Sequence, residues 1–156
     1  MLTAKGLGNG LPIGVCMARG EAAQLLGPGD HGSTYGGNPL CCAAAIAVLT
    51  TLRDDTVMQR ARSVREVLLT ALHGAITDSD LIAEVRGRGL MIGIQPRVAT
   101  KEIVQRGLES GLLINVAGGD TIRVLPPLVM TDEQAGELGA GIANIINDIA
   151  EQENAL

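Results

Sequence analysis

Glycine and proline crowd the first forty residues, at Gly6, Gly8, Gly10, Pro12 and Gly14 and again at Gly27, Pro28, Gly29, Gly32, Gly36, Gly37 and Pro39. That spacing leaves no room for a long helix or strand, because glycine frees the backbone and proline removes a donor. The segment reads as loops around one short strand, Ile13 to Ala18, with a helical turn or two from Glu21 to Leu26. Regular structure begins near Pro39. Asn38 suits an N-cap and Pro39 the first helical position, and the Ala-rich run to Leu52 favours helix.

Asp54 and Asp55 can cap a second helix, in which Val57, Ala61, Val64, Leu68, Ala71 and Leu72 recur at spacings of three and four and leave Arg60, Arg62, Arg65 and Glu66 mostly outward. From Leu81 the pattern changes. Leu81 to Val85, Leu90 to Ile94, Leu112 to Val116 and Thr121 to Leu125 are short β-prone runs, separated by Gly-rich turns or by a helical stretch from Thr100 to Glu109. A long helix closes this α+β unit. Thr131 and Gln134 form a capping box, and Ala135, Leu138, Ile142, Ile145, Ile146 and Ile149 form its apolar stripe. The one soft boundary falls near Arg53 and Asp54, and the side before it is too loop-rich to stand alone.

With 46% hydrophobic residues among 156 and a positive mean hydropathy, the chain can bury a core of one domain or slightly more. Twelve basic against 17 acidic residues give 12 − 17 = −5, without a basic run, which argues against nucleic-acid and anionic-membrane partners and for a small metabolite. Cys16, Cys41 and Cys42 fit neither a disulfide framework nor a C-x-x-C metal site, so a reducing cytoplasm is expected and no metal is. No membrane-spanning apolar run is present. Tyr35 is the only aromatic residue, so a flat ring bound here would lack a second aromatic partner.

Three stretches could carry chemistry. Lys5, one of two lysines with Lys101, is followed by Gly6-Leu7-Gly8-Asn9-Gly10-Leu11-Pro12-Ile13-Gly14, and glycines beside a lysine let a bulky group approach the backbone. A lysine amine can form a Schiff base with an aldehyde, although on spacing alone a surface lysine beside a flexible loop is the commoner case. The glycines do not follow the dinucleotide fingerprint, and no Walker A loop or G-x-S-x-G elbow occurs. The second stretch, His31-Gly32-Ser33-Thr34-Tyr35-Gly36-Gly37-Asn38-Pro39, offers two hydroxyls and free amides ahead of a helix N-terminus, which suits either a phosphate or an ordinary capping loop. His31 is more often structural than catalytic in such a place, and His73 lies in a helix without an evident partner. The third is Thr121-Ile122-Arg123-Val124-Leu125-Pro126-Pro127. Arg123 there either points into water or offers its planar fork to a substrate carboxylate.

Taken in order, Ala4 to Gly14, His31 to Leu40 and Ile122-Arg123-Val124-Leu125-Pro126-Pro127-Leu128 resemble the class III pyridoxal-phosphate-dependent aminotransferases, and the unbroken string from His31 to Leu40 resembles the acetylornithine and ornithine type. Arg86-Gly87-Arg88-Gly89-Leu90-Met91-Ile92-Gly93 is similar to the turn between two small-domain strands of that family. The resemblance covers essentially the whole chain. It implies an α/β fold, the C-terminal portion of a fold type I PLP-dependent transferase, with residues 1–53 ending the large PLP-binding domain and 54–156 forming the small domain.

The resemblance further implies that Lys5 holds pyridoxal 5'-phosphate as a Schiff base and moves the substrate proton. Ser33 and Thr34 would contact its phosphate from the neighbouring subunit of a homodimer. Arg123 would take the substrate carboxylate, and Asn115 would line the pocket. The reaction implied is amino transfer from N-acetylornithine to 2-oxoglutarate, in arginine biosynthesis; ornithine, succinyldiaminopimelate and 4-aminobutyrate are alternative donors, and a non-catalytic remnant that dimerises or binds phosphate is a further alternative. Family members carry a long region upstream of the lysine, with a glycine-rich phosphate contact, a ring-stacking aromatic and an acid that pairs with the ring nitrogen. None of these is in this sequence, so the chain is expected to be an N-terminally truncated piece that alone binds cofactor weakly and transaminates poorly.

Overall fold

Asn38 starts the first long helix as its sequence predicts. Its Oδ1 accepts the Cys41 N–H at 3.0 Å and Pro39 fills the first turn, so α1 runs Pro39–Arg53. The computed structural model describes residues 1–155, apart from the side chain of Asp55. It divides into two compact units, Met1–Asp55 and Thr56–Leu156.

In the first unit, strands β1 (Leu2–Thr3) and β2 (Val15–Cys16) pair antiparallel, Leu2 with Cys16 and Thr3 with Val15. The expected strand from Ile13 to Ala18 is thus cut to its two central residues, because its partner offers only two. Between the strands, Lys5–Gly8 form a single 3-10 turn, closed where the Asn9 N–H donates to the Gly6 carbonyl at 3.2 Å. A second such turn, Gly20–Gln24, stands where a helical turn through Glu21 was expected. The Lys5–Gly8 turn packs against α1. Leu7 and Gly8 on the turn and Cys41 and Ala45 on the helix are the buried residues of this unit.

In the second unit, α2 (Asp55–Ala75) buries Ala61, Val64, Leu68 and Leu72 of the predicted stripe and leaves Val57 and Ala71 partly buried. The capping role expected of Asp55 concerns a side chain outside the described residues. Strands β3 (Ile82–Arg88), β4 (Met91–Pro96), β5 (Asn115–Ala117) and β6 (Thr121–Val124) form an antiparallel sheet in the order β3-β4-β6-β5. Helix α3 (Ile103–Glu109) falls within the expected helical stretch. The β5 strand starts three residues later than its apolar run, since Leu112 is tied back to the end of α3 by its N–H to the Gly107 carbonyl at 2.7 Å.

Helix α4 (Asp132–Asn154) opens with both halves of the predicted capping box. The Gln134 N–H donates to Thr131 Oγ1 at 3.2 Å, and the Thr131 N–H donates to Gln134 Oε1 at 3.1 Å. Its buried face meets α2 and one face of the sheet in a core that includes Leu68, Leu72, Ile92, Ile94, Ile122, Ile142 and Ile146. Alternation along β6 sends Ile122 and Val124 into that core and leaves Arg123 exposed. Two details position α4. Gly139 sits so close to α2 that a Cβ there would collide with the Leu68 carbonyl. Asn147, buried in the same helix, donates to the Ala75 carbonyl at 3.0 Å and accepts from the Thr77 N–H and hydroxyl at 3.1 and 3.0 Å. One side chain thereby satisfies the backbone where α2 ends. Among the described residues, no helix is long and apolar enough to cross a membrane.

Candidate active site

The predicted site residues fall in both units. In the first, Lys5 takes φ +53°, a left-handed conformation that costs a non-glycine residue about 1–3 kcal/mol and that tends to mark functional positions. The turn is held from three sides: the Leu7 N–H donates to the Ala4 carbonyl at 3.1 Å, the Leu11 N–H to the Gly8 carbonyl at 3.0 Å, and Leu7 is buried. The anchored turn leaves Lys5 exposed at an open depression of about 520 Å³. Thr3, Gly14, Cys16 and His31 share its lining. His31, a structural residue on the sequence reading, therefore stands on the same depression as the lysine, and so does the exposed thiol of Cys16.

Ser33 and Thr34 do not line that depression. They sit in the exposed loop ahead of α1, where the Ser33 carbonyl accepts from the Gly36 N–H at 3.3 Å and the Asn38 amide donates to the Tyr35 carbonyl at 2.9 Å. Among the described residues neither hydroxyl has a hydrogen-bond partner, so both are free to donate. The loop leads directly into the capped start of a 15-residue helix, an arrangement that favours an anion.

In the second unit the register of the sheet brings three polar positions and a glycine into one row. Arg86 on β3 pairs with Gly93 on β4, Gly93 with Arg123 on β6, and Arg123 with Asn115 on β5. Arg123 and Asn115, predicted separately, are thus cross-strand neighbours on the exposed face of the sheet. Arg86, Gly93, Thr121 and Arg123 line an open depression of about 400 Å³. Arg123 makes no hydrogen bond or ion pair among the described residues, so its fork is available to a ligand. Arg86 is committed: it donates to Glu84 Oε2 at 2.8 Å, to Gln95 Oε1 at 3.1 Å and to Thr121 Oγ1 at 2.8 Å.

Sequence reasoning took Arg86 only as part of a turn; the signal available was its outward parity on a strand next to a glycine. His73 is exposed on α2, and among the described residues no group of His, Cys, Asp or Glu is arranged to hold a metal ion.

The sequence profile of the class-III aminotransferases matches residues 1–146. The chain belongs to this family. Class-III aminotransferases depend on pyridoxal 5'-phosphate and act on small molecules, as the motifs around Lys5, Ser33 and Arg123 led one to expect. The acetylornithine aminotransferase of Corynebacterium efficiens is 43% identical over 149 residues, covering 94% of this chain and 35% of its own length. An ornithine aminotransferase structure from Toxoplasma gondii superposes with a TM-score of 0.83 at 33% identity, over 97% of this chain and 37% of the other. An acetylornithine aminotransferase structure from Elizabethkingia anophelis gives 0.77 at 33% identity, over 94% and 38%. The α/β fold expected from the resemblance is the one these aminotransferases share with the chain, which spans little more than a third of their length.

Proposed function

We propose that this chain supplies the cofactor lysine and a substrate-carboxylate arginine to a PLP-dependent aminotransferase that moves an amino group from N-acetylornithine, or a related ω-amino donor, to 2-oxoglutarate in cytoplasmic arginine biosynthesis. The observation that carries the reading is Lys5, held in a left-handed conformation by a buried turn at the lip of a depression. The 43% identity to the acetylornithine aminotransferase of C. efficiens supports the choice of donor.

The residues present fit the two ends of the cofactor. Lys5 provides an amine for its aldehyde, and Ser33 and Thr34 provide free hydroxyls beside a helix N-terminus for its phosphate. The ring finds no stacking partner in the Lys5 depression, and Tyr35, the only aromatic, is 82% exposed. When bound, PLP supplies an electron sink for the substrate α-carbon. Lys5 would hold it through Nζ and then carry the proton between that carbon and the cofactor. Arg123 would bind the substrate carboxylate through its planar fork, with Asn115 beside it.

The same reading assigns residues 1–53 to the end of a large PLP-binding domain and 54–156 to a small C-terminal domain. Support for the first assignment comes from α1, whose Leu40, Ile46 and Leu49 remain more than half exposed although the helix is apolar on most sides, as helices of large-domain cores are. In a homodimer, Ser33 and Thr34 would serve the neighbouring subunit's cofactor.

Borohydride reduction in the presence of PLP, followed by peptide mapping, tests this reading. At saturating PLP, stoichiometric pyridoxyl label at Lys5, well above that at Lys101 and lost in Lys5→Ala, is expected. Labelling of Lys5 no stronger than of Lys101 would overturn it and leave a chain that only dimerises or binds phosphate.

A further inference from the structure

Arg86 reaches across a neighbouring strand. It starts on β3, yet its Nη2 donates to Thr121 on β6, with β4 between them. The two outer strands are about 9–10 Å apart at the usual spacing. The crossing runs over Gly93, the one residue of the row without a side chain. A Cβ at Gly93 would stand 3.1 Å from Thr121 Cγ2, a tight approach, and 3.5 Å from Arg86 Cγ, in ordinary contact, so the bare glycine leaves the crossing its room.

The contact is part of a closed ring. Arg86 donates to Thr121; the Thr121 hydroxyl donates to Asp120 Oδ1 at 2.8 Å; Asp120 Oδ2 accepts from Gln95 Nε2 at 2.8 Å; and Gln95 Oε1 accepts from Arg86. The proton of the Thr121 hydroxyl is used on Asp120, so its lone pairs face Arg86, and every hydrogen-bond direction in the ring is fixed. Glu84 adds an ion pair to Arg86. The charge of Arg86 is therefore spent on Glu84 and on the ring that holds Asp120. Two residues along β6 from Thr121, on the same face, Arg123 carries the fork left unspent.

We infer that Arg86 is a positioning residue for Arg123. Acting through Thr121 across the gap at Gly93, it fixes this stretch of β6 and keeps the Asp120 carboxylate engaged, so that Arg123 meets an incoming carboxylate instead of a neighbouring acid. The inference rests on the proposed role of Arg123 as the carboxylate site. Opening the ring frees Asp120, which lines the same depression as Arg123 and there competes with the ligand.

Titration of the full chain with glutarate, followed by the side-chain Nε–H resonance of Arg123, tests both steps. In the parent protein that resonance should shift on binding. Arg86→Met and Thr121→Val should each weaken glutarate binding roughly three- to tenfold, the range expected for members of one hydrogen-bond network, and should move the Arg123 signal before any ligand is added. If Arg123→Met binds glutarate as the parent does, the carboxylate reading falls and this inference with it. If Arg123→Met loses binding while Thr121→Val keeps the parent affinity and the parent Arg123 signal, the carboxylate reading stands and the inference is overturned. Thr121→Val decides alone should Arg86→Met fail to fold.

Discussion

Helices α1 and α4 begin alike, each with a side chain capping its first turn, and then differ in what they bury. Over 23 residues α4 buries nine, among them Ile142, Ile145, Ile146 and Ile149, while its polar residues other than Asn147 face out. Over 15 residues α1 buries Cys41 and Ala45, and Ile46 and Leu49 stand 64% and 55% exposed. The more apolar helix is thus the less buried one. What separates them is the presence of facing surface: α4 has α2 and a sheet to pack on, whereas α1 has a single 3-10 turn. Apolar content sets what a helix can bury, and its neighbours set what it does bury.

The same substitution in both helices is the strongest way to break this comparison. Ile146→Ala, at a fully buried position, should lower stability by about 2–5 kcal/mol in urea unfolding. Ile46→Ala, at an exposed one, should change it by about 0.5 kcal/mol or less. Equal costs would mean that α1 is buried in solution after all.

Asn147→Leu comes next. It leaves the Ala75 carbonyl and the Thr77 N–H without their partner, an effect of about 1–3 kcal/mol that amide exchange should locate at Thr77. The caps follow, with smaller effects than Asn147→Leu. Thr131→Ala and Asn38→Ala should each cost about 1 kcal/mol, seen as faster amide exchange in the first turns of α4 and α1 respectively. Larger loss at Asn38 than at Thr131 would sharpen the view that α1 depends on local signals where α4 depends on packing.

Both caps were legible in the sequence because they act within three residues, as was the apolar stripe of α4, whose period is local. Lys5, Ser33, Thr34 and Arg123 were legible only as members of motifs. The sequence did not show that Leu2 pairs with Cys16, that Asn147 closes the end of α2, or that Arg86 crosses to Thr121. Asn147 meets Ala75 across 72 positions and Arg86 meets Thr121 across 35, and such partners become neighbours only after the register of the sheet and the docking of the helices are set. Neither Gly93 nor Gly139 announces itself either, since what each makes room for comes from another part of the chain and not from its own turn.

On β6, Ile122 and Val124 face the core while Arg123 faces outward, flanked in its row by Gly93 and Asn115. Cohesion and the recognition proposed for Arg123 are therefore written on opposite sides of the same few residues. A change at Asn115, which is exposed, alters the outward row without touching the inward core. The outward face of the sheet is thus free of the packing constraint that holds the inward one, and the recognition proposed for Arg123 draws on that freedom.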